Sequence, residues 1–82
     1  MITHSKFEFI QFTKQKIAET LDVNINEIDI NTEFVALGLD SLDTLFLIQE
    51  LEDYLKIEIN PLVFWDYPNI RLLSEHLIGG DE

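Results

Sequence analysis

Ser41 stands in Leu37-Gly38-Leu39-Asp40-Ser41-Leu42, at the junction between a long irregular segment and a strongly amphipathic stretch. That placement exposes a hydroxyl at the start of a helix. A phosphate ester there would meet free backbone N–H groups and the positive end of the helix dipole, so the position suits a phosphorylated hydroxyl. The plain structural role of the same residue is a helix cap. Other reactive residue types are less well arranged. His4 falls near the amino terminus, in a loose surface segment, and His76 on the last helix; both read as surface residues rather than ligands. Ser74-Glu75-His76 holds three residue types of a hydrolase triad, but consecutive helical positions point in different directions and cannot converge.

A pattern of a different class lies in Asp22 to Glu33, where Asp22, Asn24, Asn26 and Glu33 take the first, third, fifth and twelfth places of a calcium-binding helix-loop-helix. Two residues oppose that alternative. Glu27 occupies the sixth place, where the sharp turn requires glycine, and Asp29 the eighth, where an apolar residue packs. The segment therefore reads as a solvated turn, and no metal site is expected.

Composition narrows the function. The chain has 82 residues, enough for one domain with one core, and a domain of this size buries only about 60% of its unfolded surface. A single unit over 1–82 is expected, its core over about 5–78. With 46% hydrophobic residues, the chain folds; with 16 acids against 5 bases and a net charge of −11, its surface is acidic. Such a surface repels nucleic acid and favours partners with basic docking patches. The chain has no cysteine, so any thioester chemistry needs an imported sulfur, and a cytoplasmic location is expected. Neither a basic-then-apolar leader nor a run of roughly 18 apolar residues is present, so secretion signals and membrane spans are not expected.

Four helices are expected to position Ser41. The first runs from about Ser5 to Leu21, with Phe7, Ile10, Ile17, Ala18 and Leu21 at the spacing of one buried stripe and Phe9 and Phe12 off it. Asp22 to Asp40 has no sustained period, yet Val23, Ile25, Ile28, Ile30, Phe34, Leu37 and Leu39 recur through it, which predicts a loop packed onto the helices. The second helix runs from Ser41 to about Lys56, with Asp40 or Ser41 as cap and Asp43 in its first turn. Pro61 opens a short third helix through Asp66, and Pro68 closes it. The last spans roughly Asn69 to Ile78, burying Ile70, Leu73 and Leu77, with Gly79-Gly80 as its stop and Asp81 and Glu82 as a frayed end.

At about 100° per residue from Ser41, the second helix gathers Leu47, Ile48, Leu51, Tyr54 and Leu55 between roughly 220° and 340°, which is its core face. Leu42, Leu45 and Phe46 fall between roughly 40° and 140°, among Asp43, Gln49, Glu50, Glu52 and Asp53. An apolar patch rimmed by acids commonly marks an interaction site. For Leu42, cover by the packed loop is an equally weighted alternative.

The whole arrangement, Phe34 with Leu37-Gly38-Leu39-Asp40-Ser41-Leu42, then Leu47, Leu51-Glu52 and Ile57-Ile59, resembles an acyl carrier protein over nearly the full chain. The resemblance implies an all-α fold, a small four-helix bundle with a long packed loop between helices 1 and 2 and a short third helix. It also implies 4′-phosphopantetheine carried on Ser41, with Asp40 as the acid that helps a phosphopantetheinyl transferase recognise the site. Such a chain is not an enzyme. It holds acyl groups as thioesters and presents them to a ketosynthase, an acyltransferase or acyl-loading ligase, and tailoring enzymes. Leu42, Asp43, Leu45, Phe46, Gln49, Glu50 and Asp53 would form the docking face of a monomer.

Pro61-Leu62-Val63-Phe64-Trp65-Asp66-Tyr67-Pro68-Asn69-Ile70 resembles carriers of polyketide and nonribosomal peptide assembly more than fatty-acid carriers. Asn69 stands where those carriers usually have threonine, and asparagine caps a helix at least as well. Leu39-Asp40 before the serine is similar to the acyl type, whereas peptidyl carriers more often have Gly-Gly or Gly-His there. An acyl carrier of polyketide type, free-standing, is the expectation, and a peptidyl carrier the alternative.

Overall fold

The computed structural model describes residues 4–79, and these are entirely helical and irregular. Five α-helices follow in order: α1 Lys6–Leu21, α2 Phe34–Leu37, α3 Ser41–Leu55, α4 Val63–Asp66 and α5 Ile70–Leu77, with a 3₁₀ turn over Ile25–Glu27. The core gathers Phe9 and Ile17 of α1, Phe34 of α2, Leu47, Ile48, Leu51 and Leu55 of α3, and Ile70 and Leu73 of α5. Among the described residues no helix is long and apolar enough to cross a membrane.

A reciprocal cap starts α1. The Glu8 N–H donates to Ser5 Oγ at 3.0 Å, and the Ser5 N–H donates to Glu8 Oε1 at 3.3 Å. The buried stripe of this helix differs from the expected one: Phe9 is 0% exposed and Phe7 is 70% exposed. Ile17 and Ala18 are buried as expected, Ile10 and Leu21 pack against the core, and Phe9 and Thr13, not Phe7, complete the stripe. Thr13 is tolerated in the core because its hydroxyl donates to the Phe9 carbonyl at 2.8 Å, leaving no unpaired polar atom. Phe12, off that stripe, stacks on Tyr54 of α3.

The segment between α1 and α3 is packed as expected, with Ile28, Phe34 and Leu39 buried. It is more ordered than a loop. Asn24 Oδ1 accepts the Asn26 N–H at 2.8 Å to open the 3₁₀ turn, and Asp29 Oδ1 accepts the Asn31 N–H at 2.8 Å. Two backbone bonds tie it to the far end of the chain: Phe34 N–H to the Pro68 carbonyl at 2.8 Å, and Arg71 N–H to the Ile30 carbonyl at 3.1 Å. Gly38, at φ 108°, ends α2 in the left-handed region that favours glycine.

The core face of α3 is the one read from the wheel, with Leu47, Ile48, Leu51 and Leu55 buried and Tyr54 half-buried. Helix α4 begins two residues after Pro61, because Asn60 and Pro61 form a turn in which Asn60 Oδ1 accepts the Leu62 N–H at 2.9 Å. Asn69 caps α5 by accepting the Leu72 N–H at 2.8 Å, and its amide donates to the Asn31 carbonyl at 3.4 Å. Ile70 and Leu73 are buried, Leu77 is half-buried, and Gly79 takes a positive φ of 111° past the helix end. Gly80, Asp81 and Glu82 lie outside the described residues.

His4 departs from the expected loose surface position. Its Nε2 is 3.0 Å from the Tyr54 carbonyl and its ring stacks on the Tyr54 ring with 4.0 Å between centroids. His76 is exposed, and its ring stacks on Tyr67 at 4.1 Å.

Candidate functional site: the start of helix α3

Ser41 is exposed at the first position of α3, directly after the left-handed Gly38 and the buried Leu39. The chain on both sides of it is held. Asp40 Oδ1 accepts the Asp43 N–H at 2.8 Å, and Asp43 Oδ2 accepts the Asp40 N–H at 3.1 Å. Thr44 adds a bond from its hydroxyl to the Ser41 carbonyl at 2.8 Å. Among the described residues the Ser41 hydroxyl itself has no protein partner within hydrogen-bond reach. Asp40, not Ser41, is thus the cap, and the Ser41 hydroxyl takes no part in it. The helix start offers less to an anion than its sequence suggested, since the Asp43 N–H is already taken by Asp40.

Ser41 sits on the rim of an open apolar groove of about 460 Å³. Thr44, Leu45 and Ile48 of α3 form one wall, Phe34 and Val35 of α2 another, and Phe64 and Trp65 of α4 the third. Phe34 meets Phe64 edge-to-face at 4.7 Å, which joins α2 to α4 beneath it. Trp65, 82% exposed, stands on the edge. Phe34 had been singled out, but Val35 gave no signal because α2 is too short to show a period.

Leu42, Leu45 and Phe46 are all more than half exposed, so the loop between α1 and α3 does not cover Leu42. Gln49, Glu50 and Asp53 are exposed around them, whereas Asp43 is half-buried and engaged in the cap. Glu50 has a partner across the bundle, Lys16 Nζ at 3.7 Å. No lysine or arginine interrupts the chain between Asp22 and Leu55, so α2 and α3 contribute only acids to the surface around Ser41, and Lys16 of α1 reaches Glu50 from outside that stretch. In the segment from Asp22 to Glu33, Asn24 and Asp29 cap turns. Among the described residues no group of three or more histidine or acidic side chains is placed to hold a metal ion.

A small helical bundle that presents one free hydroxyl on a braced helix start is the architecture of a carrier domain. The family described as "Phosphopantetheine attachment site" matches residues 11–77, and the chain belongs to it. It is a domain for covalent attachment of 4′-phosphopantetheine. The chain is similar to the polyketide synthase PksN of Bacillus subtilis, with 31% identity over 64 residues that make up 78% of this chain and 1% of PksN. Two solved structures share the fold. A free-standing peptidyl carrier protein from Acinetobacter baumannii is 34% identical with a TM-score of 0.84, covering 90% of this chain and 92% of that one. The acyl carrier protein Asl1650 from Anabaena is 30% identical, also with a TM-score of 0.84, covering 94% and 88%.

Proposed function

We propose that this chain is an acyl carrier of polyketide type whose attachment residue is Ser41. The observation that carries the reading is the exposed, unpartnered Ser41 hydroxyl on a helix start braced from both sides. In a transferase, Ser41 Oγ attacks the β-phosphorus of coenzyme A. The Oγ–P bond forms as the phosphoanhydride P–O bond breaks, adenosine 3′,5′-bisphosphate leaves, and the hydroxyl proton passes to a base of the transferase. Asp40 contributes to recognition by that enzyme. The attached arm supplies a terminal thiol, which replaces the cysteine the chain lacks and holds acyl groups as thioesters.

The chain's own role is presentation rather than catalysis. Leu42, Leu45 and Phe46 provide the apolar centre of a docking face, with Gln49, Glu50 and Asp53 at its rim. The rim steers a monomeric cytoplasmic carrier to the basic patches of synthase enzymes such as a ketosynthase, acyltransferase or loading ligase. Tethering then raises the effective concentration of cargo in each active site. The similarity to PksN and the Leu39-Asp40 pair support the acyl, polyketide reading. The likeness to a peptidyl carrier keeps aminoacyl cargo as the second reading.

The test is intact mass after incubation with coenzyme A and a broad-specificity phosphopantetheinyl transferase. One phosphopantetheine adduct is expected, absent in Ser41→Ala. An adduct on the alanine variant would refute Ser41.

A further inference from the structure

We infer that Asp43 is a positioning residue for the Ser41 hydroxyl rather than one of the acids that dock a partner. The inference rests on Ser41 being the attachment residue. Three observations separate Asp43 from the docking acids. Its carboxylate is committed to the protein's own backbone, accepting the Asp40 N–H at 3.1 Å while its own N–H donates to Asp40 at 2.8 Å. It is half-buried, whereas the acids Glu50 and Asp53 are exposed. The two bonds also close a ring of backbone and side chain around a single residue pair, Ser41 and Leu42, so the ring constrains where the Ser41 Cα–Cβ bond points.

The alternative is a charge offered to a basic partner. That role needs a negative charge at Asp43; the positioning role needs only an acceptor oxygen at the end of a short side chain. Asparagine has the oxygen without the charge. Alanine has neither. The brace is completed from outside the pair: the buried Leu39 fixes the chain before Asp40, and the Thr44 hydroxyl holds the Ser41 carbonyl at 2.8 Å. With the ends so fixed, loss of the Asp43 acceptor frees chiefly Asp40 and Ser41. The attacking oxygen then samples more directions inside the transferase. Such misorientation slows the chemical step without weakening the encounter.

The experiment measures transferase kinetics on Asp43→Ala, Asp43→Asn and, as a docking control, Glu50→Gln, with amide hydrogen exchange of the unmodified proteins. Asp43→Ala is expected to lower kcat about tenfold with KM within about twofold, and Asp43→Asn to recover most of kcat. The Asp40 amide should exchange about fivefold faster in the alanine variant and near the native rate in the asparagine variant. Glu50→Gln should instead raise KM, and added salt should shrink that defect. The positioning role is overturned if Asp43→Asn is as impaired as Asp43→Ala. It is also overturned if both variants raise KM in a salt-sensitive way, or if the Asp40 amide is unprotected in the native protein. If the alanine variant fails to fold, the asparagine variant and the exchange of native Asp40 decide alone. A native protein that takes up no phosphopantetheine would refute the Ser41 reading itself, an outcome distinct from normal loading with unaltered Asp43→Ala kinetics.

Discussion

The Tyr54 ring lies flat against Phe12, with centroids 4.0 Å apart and planes within 10°, so an aromatic pair joins α3 to α1. The His4 ring covers the other face of Tyr54 at 4.0 Å. Burial pushes the Tyr54 phenol above its ordinary value of 10.0, and the nearby Glu8 carboxylate pushes it further the same way. The folded state thus holds this proton more tightly than the unfolded chain. The associated stability is fully present below about pH 10 and is lost as pH rises from there through the higher folded value. Melting temperature measured between about pH 8 and pH 11 should fall at the alkaline end, and Tyr54→Phe should fall less steeply there. An equally steep decline in the phenylalanine variant would place the cause elsewhere.

Leu51 and Phe46 test the division of α3 into a core face and an outer face. Leu51 is 1% exposed, and truncation to alanine should cost about 2 to 5 kcal/mol. Phe46→Ala and Leu45→Ala, on exposed side chains, should change stability by about 0.5 kcal/mol or less. Both should still slow acyl loading by a cognate partner, because a few apolar anchors carry most interface energy. Urea unfolding and loading rates on one set of variants decide it. Phe46→Ala with normal loading would remove Phe46 from the docking face.

Lys16 Nζ sits 3.7 Å from Glu50 and 3.8 Å from Glu19, so in the free protein a docking acid is partly neutralised from α1. As a partly exposed pair it contributes at most about 1 kcal/mol. Lys16→Gln should barely move the melting temperature but should speed association with a basic partner about twofold at low salt. Lys14→Gln changes net charge equally without releasing Glu50. If stopped-flow association accelerates as much in Lys14→Gln, the effect is general charge and not the Glu50 contact.

How far these features could be read from the residues depends on how locally each is encoded. The core face of α3 was legible because Leu47, Ile48, Leu51 and Leu55 recur at the helical period as one apolar stripe. The stripe of α1 was legible at Ile10, Ile17, Ala18 and Leu21 but not at Phe9, because Thr13 stands between Phe9 and Ile17, and only its bond to the Phe9 carbonyl reveals that a hydroxyl belongs there. Helix α2 was missed for a related reason: its four residues depend on Gly38 and on the long-range Phe34–Pro68 bond, not on any period of their own. Ser41 and Asp40 were legible as a motif. The return bond from Asp43 had a signal too, the Asp-x-x-Asp spacing of a reciprocal cap, although the residues alone suggest first-turn charge and a place on the docking face. The groove is built by residues from three helices separated along the chain, a juxtaposition that no local pattern encodes.

Trp65 makes the groove testable, because it is the chain's single tryptophan and stands 82% exposed on the rim that Ser41 shares. The lining is apolar along Phe34, Val35, Leu45, Ile48 and Phe64, and its polar members are Glu33, Asp40, Ser41 and Thr44. An apolar acyl group delivered from Ser41 gains by leaving water at about 25 cal/mol per Å² of surface covered, whereas the amide-rich arm has much less to gain. Acylated protein should therefore show Trp65 emission at shorter wavelength and weaker quenching by acrylamide than the unmodified form, and the arm without cargo should change both much less. Ser41→Ala treated identically should show no change. Trp65→Ala should melt within about 0.5 kcal/mol of the native protein, since an exposed ring adds little to the core. Identical emission and quenching in acylated and unmodified protein would mean that the cargo stays in water and that the groove serves partner enzymes instead.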